Sequence, residues 1–356
     1  MNRKNQLFIH PTDECKLNCS FCTYAEARKQ GMPCASLDLS RGHAAGSMKH
    51  LIQGAQHTAF SGGGEPFLNT DAILSCIALN SQKKYMVTTG MGGTLEELEE
   101  KVEQLNDACR QTDSRCVLRI SADSFHNTMD FSGNTGKILH WFLQKRWDCV
   151  TTCFIRGTVS ESEALLNNLE SYCKQGGLTY LCRRVNDFTY ACIINGVFFQ
   201  ALLRPTIYPS LEEREKEDYI LDYIDKLMQI DTEEIYLGKP RSCRGCKGCD
   251  AWKNDQENGL DITVTANGDI FLYGAECVSL GNIYNEEITY TLLHQRIEDS
   301  PELLRLQSLG LRSVMERFVE DKELGELVRR VNYPFAVVRE CMREHPEAVF
   351  RVIRSL

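Results

Sequence analysis

No segment of this chain approaches the ~20 consecutive apolar residues that a membrane-spanning helix needs. The longest apolar stretch, Ala191 to Leu203, is broken by Asn195-Gly196 and reads as a β-hairpin. The opening run Met1-Asn2-Arg3-Lys4-Asn5-Gln6 passes into a short apolar segment with no signal-peptide core. Positive charge is not in excess either: 40 Lys and Arg stand against 49 Asp and Glu, a formal charge of −9. That balance disfavours duplex nucleic acid, whose binders present a basic face. Internal repeats and low-complexity tails are missing as well. These absences lead us to expect a cytoplasmic protein with reduced thiols and no membrane partner.

What is present suits an ordinary core: 356 residues, 42% hydrophobic and 25% charged, enough for one large domain or two smaller ones. Cysteine is abundant, at 17. Three of them, Cys15, Cys19 and Cys22, fall within the eight-residue run Cys15-Lys16-Leu17-Asn18-Cys19-Ser20-Phe21-Cys22. An odd number at so tight a spacing makes a poor disulfide framework. Three thiolates on one short loop can instead converge on a metal centre, either a three-Cys zinc site or an iron–sulfur cluster; the remaining alternative is cysteines that are merely buried.

Along the first half, β-rich runs alternate with helical patterns. Strands are expected at Leu7–His10, Thr58–Ser61, Tyr85–Thr89, Cys116–Ser121, Val150–Arg156 and Thr179–Arg183. Thr94-Leu95-Glu96-Glu97 reads as a capping box opening a helix, and Ser160-Glu161-Ser162-Glu163 as a second, with Gly176-Gly177 closing the helix that follows. Repeated strand–helix units favour a parallel sheet, and six such units can curve into a partial (β/α)6 barrel. Active sites of such barrels lie at the C-terminal ends of the strands, where the first cysteine loop falls. The pattern changes after about Tyr190. There follow the Asn195-Gly196 hairpin, a charge-rich helix over Leu211–Gln229 and a dense Cys243–Cys249 loop. A second hairpin is expected around Asn267-Gly268-Asp269, and then about 50 helical residues broken at Val331-Asn332-Tyr333-Pro334. The expected division is 1–200, 201–300 and 301–356.

The second strand runs into Phe60-Ser61-Gly62-Gly63-Gly64-Glu65-Pro66. Glycines let backbone approach a ligand, and carbonyls with a carboxylate suit an ammonium group. The C-x3-C-x2-C spacing with an aromatic before its last cysteine, together with Gly63-Gly64-Glu65-Pro66, resembles the radical S-adenosylmethionine (radical SAM) enzymes. The resemblance covers Leu7 to about Leu306. It implies an α/β partial barrel in which Cys15, Cys19 and Cys22 hold three irons of a [4Fe-4S] cluster and the fourth iron binds SAM. It further implies that Gly63, Gly64, Glu65 and Pro66 hold the methionine amino end, and that Phe21 touches the adenine or packs under the cluster loop. Polar groups at the ends of later strands, Ser121, Asp123 and Arg156, then face the ribose or carboxylate of SAM, with a cap or a surface ion pair as alternatives.

Cys243-Arg244-Gly245-Cys246-Lys247-Gly248-Cys249 is a second candidate metal loop, with Cys277 as a possible fourth thiolate and a four-Cys zinc site as the other reading. With the segment Ile262 to Tyr284, it resembles the small hairpin-containing SPASM/twitch extension that carries auxiliary [4Fe-4S] clusters. The chain departs from that pattern. Tyr273 stands where a cysteine is expected five residues after the hairpin glycine, and the cysteines for a second auxiliary cluster are missing. One auxiliary cluster is therefore expected, followed by C-terminal helices.

The chemistry implied is a 5′-deoxyadenosyl radical taking hydrogen from a substrate, with a one-electron donor such as flavodoxin or ferredoxin as partner. The outcome is net oxidation assisted by the auxiliary cluster, or epimerisation if Cys153, Cys182 or Cys192 returns a hydrogen atom. Each of those three cysteines can equally be a small buried hydrophobe. The first strand begins at about residue 7, which leaves no room for an N-terminal peptide-recognition domain. That favours a small polar substrate (amino sugar, nucleoside or amino acid) or a short peptide held by the barrel alone. A maturase of a ribosomally made peptide and a non-catalytic metal-binding scaffold are the alternatives.

Overall fold

The computed structural model describes residues 5–17, 19, 22–29, 31–90, 94–126, 131, 133–145, 147–186, 189–204, 221, 260–331 and 334–356. These form a mixed α/β structure in two compact units. The first unit comprises Met1–Phe8, Asp38–Gln56 and Ile207–Leu356, and the second Ile9–Leu37 and His57–Thr206. Among the described residues no helix is long and apolar enough to cross a membrane.

The second unit is built on strands β2 (Ala55–Phe60), β3 (Lys84–Thr89), β4 (Arg115–Ser121), β5 (Val150–Thr158), β6 (Tyr180–Asn186), β7 (Thr189–Ile194) and β8 (Val197–Arg204). Their lateral order is β2-β3-β4-β5-β8-β7-β6. The pairs from β2 through β5 to β8 are parallel, and β8, β7 and β6 continue as an antiparallel meander. Parallel neighbours need long crossovers. Helices α3 (Thr70–Ala78), α4 (Leu95–Gln111), α5 (Asn134–Lys145) and α6 (Ser162–Gln175) provide them. Their apolar residues, among them Ile73, Ile77, Leu98, Val102, Leu105, Ile138, Leu165 and Leu169, are fully buried with Phe60, Tyr85, Val87, Leu118 and Ile120 of the sheet. A short helix, α1 (Thr23–Lys29), follows the cysteine loop.

Two local expectations hold to the atom. Thr94 Oγ1 accepts from Glu97 N at 3.3 Å while Glu97 Oε2 accepts from Thr94 N at 2.9 Å, the reciprocal capping box of α4. Asn195 (φ 48°) and Gly196 (φ 77°) both adopt the left-handed conformation that a two-residue hairpin turn requires. Two others differ. The start of α6 has no capping box: a 3-10 turn, Val159–Glu161, moves the N-cap to Glu161, so Ser160 stays outside the helix with its hydroxyl 3.3 Å from that of Thr158 and Glu163 is not three residues past the cap. The sixth expected strand, β6, does not lie beside β5. The hairpin folds β8 back into that place, parallel to β5, and leaves β6 at the sheet edge.

In the first unit, β1 (Asn5–Ile9) neighbours β9 (Asp261–Val264), which pairs antiparallel with β10 (Asp269–Leu272), and β10 with β11 (Gly281–Asn282). The turn between β9 and β10 uses Gly268 at φ 86°, as the second hairpin expectation requires. Helix α2 (Ala44–Gly54) is fastened there through Ser47, whose hydroxyl donates to the Glu286 carbonyl at 3.0 Å and accepts from Ile288 N at 2.9 Å. The chain ends in α7 (Tyr290–Asp299), α8 (Pro301–Glu320), α9 (Leu324–Arg330), α10 (Pro334–Glu344) and α11 (Pro346–Ser355), broken between Arg330 and Pro334 as the sequence indicates.

Candidate functional site

Within the second unit, the loop after β1 folds back over the glycine-rich end of β2. Ser61 N donates to the Ile9 carbonyl at 3.0 Å, Gly64 N to the Thr12 carbonyl at 2.6 Å, and Glu65 N to the Glu14 carbonyl at 2.8 Å. The approach is close enough to demand glycine. A Cβ on Gly62 would lie 2.3 Å from His10 Nε2, and one on Gly64 would lie 1.9 Å from the Glu14 carbonyl oxygen. The loop is also held from its outer side. Thr12 Oγ1 donates to the Ala35 carbonyl and accepts from Glu14 N, while the Arg28 guanidinium donates to the carbonyls of Asp13 at 2.9 Å and Leu17 at 3.4 Å. Cys15 lies between these anchors, after Glu14 and before Leu17.

Glu65 is buried. Its Oε2 accepts from Gly90 N at 2.9 Å, whereas its Oε1 has no hydrogen-bond partner among the described residues. Burial raises its carboxyl above the ordinary range, against the opposing hydrogen bonds from Thr89, Gly90 and the Phe67 backbone and the charge of His126. Burial likewise pushes the Cys15 thiol up to about 11. The negative charges of Glu65 and Cys22 add to this, and the Leu17 backbone and Arg28 oppose it. Cys22 N donates to the Cys19 carbonyl at 3.0 Å.

Across the strand ends, Asp123 Oδ1 accepts from both the backbone N (2.9 Å) and the ring Nδ1 (2.7 Å) of His126. Burial alone would lower the imidazole pKa. Hydrogen bonds with Asp123 and Cys19 outweigh it and raise the pKa to about 9. Gly90 makes room for this arrangement, since a Cβ there would meet Leu17 at 2.7 Å and His126 at 2.8 Å. Buried Arg119 reaches Ser61 Oγ at 3.2 Å, and Ser121 is buried two residues further along β4. Neither His126 nor Arg119 was among the residues expected from the sequence. The D-x-x-H spacing of a single turn and the Arg119/Ser121 alternation on β4 are the signals that point to them.

The thiols are soft ligands of the kind that iron–sulfur clusters take, and the spare carboxylate oxygen beside a glycine-lined backbone suits an ammonium group. The residues thus fit both groups in kind. Among the described residues, no three His, Cys, Asp or Glu side chains gather into a metal-holding group. Cys15 feels the charge of Cys22, and Cys19 is engaged by His126.

Pro66 is buried and begins the 3-10 turn Pro66–Asn69. The β5 register sets Arg156 opposite Ser121 and Cys153 opposite Leu118, but the side chains of Arg156 and Cys153 lie outside the described set. Phe21, Cys243, Cys246 and Cys249 also lie outside the described residues. Cys277, in the first unit, is buried after β10, its thiol pushed up to about 12 by burial. Tyr273, which replaces an expected cysteine, stacks on Phe8 with ring centroids 4.1 Å apart. Cys182 and Cys192 face each other on β6 and β7 with their sulfurs 3.5 Å apart.

No family model matches the chain, and no curated protein matches it.

Proposed function

We propose that the chain is a radical SAM enzyme whose second unit is a partial (β/α)6 barrel with its site at the strand ends. The observation that carries this reading is the backbone bonding of the cysteine loop to the glycine-rich strand end, through Gly64 N to Thr12 and Glu65 N to Glu14, next to the unpartnered oxygen of Glu65. Cys15, Cys19 and Cys22 would hold a [4Fe-4S] cluster, and Gly63, Gly64 and Glu65 the amino end of SAM. When bound, the reduced cluster and SAM supply a 5′-deoxyadenosyl radical that abstracts hydrogen from substrate.

The chain's own part is to position and to exclude water. Glu65 offers a buried acceptor to an ammonium group, and its desolvation strengthens that attraction. His126, held by Asp123, keeps a positive charge beside Cys19. Cys243, Cys246 and Cys249, with Cys277, are the proposed auxiliary cluster ligands. The substrate is a small polar molecule or a short peptide, and the one-electron donor a flavodoxin or ferredoxin. Anaerobic reconstitution with iron, sulfide, reductant and SAM is expected to release methionine and 5′-deoxyadenosine. A Glu65→Gln protein should keep its iron and lose the change that SAM causes in the cluster's electron paramagnetic spectrum. Failure of the native protein to release 5′-deoxyadenosine, with or without candidate substrates, overturns the reading.

The Cys19–His126–Asp123 chain favours a second reading, a thiol nucleophile activated by an imidazole that a carboxylate orients. It requires metal-free protein in which iodoacetamide alkylates Cys19 faster than exposed Cys34, and in which His126→Ala removes that advantage. Stoichiometric iron and sulfide bound by Cys15, Cys19 and Cys22 decides for the first reading.

A further inference from the structure

The second unit holds thiols that the proposed chemistry does not use, and two pairs of them touch. Cys109 of α4 and Cys116 of β4 are hydrogen-bonded, but both are fully buried. Cys182 and Cys192 differ from them in access and geometry. They are direct cross-strand partners in the β6–β7 ladder. The Cys192 S–H donates to the Cys182 sulfur at 3.5 Å. Cys192 is fully buried, whereas Cys182 is exposed on the edge strand. The Tyr180 hydroxyl, two residues along the same strand, is hydrogen-bonded to both sulfurs. Exposed Arg183 and Arg184 follow Cys182 directly.

We propose that Cys182 and Cys192 form a site of reversible thiol–disulfide exchange with small anionic disulfides. Directly opposed residues of an antiparallel pair have Cα atoms roughly 4.5–5.5 Å apart, within the range a disulfide spans. Closing the sulfurs from 3.5 Å to a bonded contact therefore needs side-chain rotation and no change of register. The geometry also assigns the order of events. Cys182 is the accessible sulfur and already accepts a hydrogen bond, so its thiolate attacks the small disulfide. That S–S bond breaks, one small thiol departs with a proton, and Cys182 carries the other half as a mixed disulfide. Cys192 then loses its proton and attacks the Cys182 sulfur. The Cys182–Cys192 bond forms and the second small thiol leaves. Two electrons pass from the protein dithiol to the disulfide, and the two protons leave with the released thiols. The adjacent arginines favour a carboxylate-bearing disulfide at the first step. None of this depends on whether the chain holds a cluster.

The test uses the full-length chain under anaerobic conditions with oxidised glutathione as probe. Samples are acid-quenched, alkylated and mapped by peptide mass. The native chain is expected to give a linked Cys182–Cys192 peptide with both thiols lost to alkylation, while Cys109 and Cys116 stay reduced. Cys192→Ser is expected to lose the linked peptide and accumulate a stable glutathione adduct at Cys182. Cys182→Ser is expected to leave Cys192 unmodified. The proposal is overturned if the native chain yields no linked peptide when Cys34 has become glutathionylated. It is also overturned if Cys192→Ser gains no adduct at Cys182 while Cys109 and Cys116 remain protected. Should a variant expose Cys109 and Cys116, and so have opened, the linked peptide of the native chain alone decides.

Discussion

The thiols after β1 and the thiols of the β6–β7 ladder belong to the same unit, yet different forces hold them. Cys15, Cys19 and Cys22 sit on a loop whose backbone is anchored but whose sulfurs face charged neighbours: Glu65, Arg28 and His126. Cys182 and Cys192 occupy ladder positions, and strand register alone makes them meet. A loop of the first kind leaves its donors to be organised by something added from outside. A ladder of the second kind has already chosen each sulfur's partner. The glycines show the same division. Gly64 has an ordinary φ and no space for a Cβ, whereas Gly196 has a φ of 77° and nothing within 4 Å of one. Glycine is needed at the first for close approach and at the second for conformation.

The largest effect is expected from Gly64→Ala. Its Cβ would lie 1.9 Å from the Glu14 carbonyl oxygen, a backbone atom that cannot swing away. The loop must lift, so the variant should lose iron uptake altogether. It should also lose stability at or above the roughly 1–3 kcal/mol of an overpacked site. Iron analysis after reconstitution and urea unfolding of the metal-free chain measure the two effects. A Gly64→Ala protein with native iron content would show that the loop is not fixed by this contact.

Next in size is Asp123→Asn, read in metal-free protein. Burial lowers the His126 imidazole, and the carboxylate with Cys19 lifts it from 6.5 to about 9. That rise favours the protonated form by about 3 kcal/mol. The sign is set by a folded pKa above the unfolded one. The stabilisation is complete below pH 6.5 and is lost as pH rises through about 9. Asparagine removes the charge that opposes burial, so the His126 pKa should fall and stability should no longer decline over that window. Imidazole titration by nuclear magnetic resonance and urea midpoints at either end of the window check both parts. An unchanged His126 pKa would remove Asp123 from the account.

What the sequence reveals follows the same division between local and distant causes. The Thr94/Glu97 cap and the Asn195-Gly196 turn are written in neighbouring residues and were legible. The two segments that make the candidate site were legible too, because each carries its chemistry within a few residues. The place of β6 was not. Every strand has two edges, and the hairpin that folds β8 against β5 is a tertiary choice between runs of similar composition. His126 was missed for a related reason. Asp123 is three residues away, but Cys19 and Gly90, which complete its surroundings, come from distant parts of the chain. The partnerless Oε1 of Glu65 is likewise a property of packing, invisible in a linear string.

The smallest effect separates the two kinds of glycine. Gly196→Ala meets no atom, so its whole cost is that of a left-handed residue with a Cβ, roughly 1–2 kcal/mol. Asparagine tolerates that conformation better than alanine, and Asn195 already adopts it at φ 48°. Gly196→Asn should therefore recover most of the loss, whereas no side chain rescues Gly64. Because β6 is held through β7, the alanine variant should loosen the ladder locally and lower the yield of the Cys182–Cys192 link without touching iron uptake. Urea midpoints for the two variants, measured beside their iron content, check the separation. If Gly196→Ala impaired iron uptake as Gly64→Ala is expected to, the hairpin and the cysteine loop would be one cooperative element, and the contrast between them would fail.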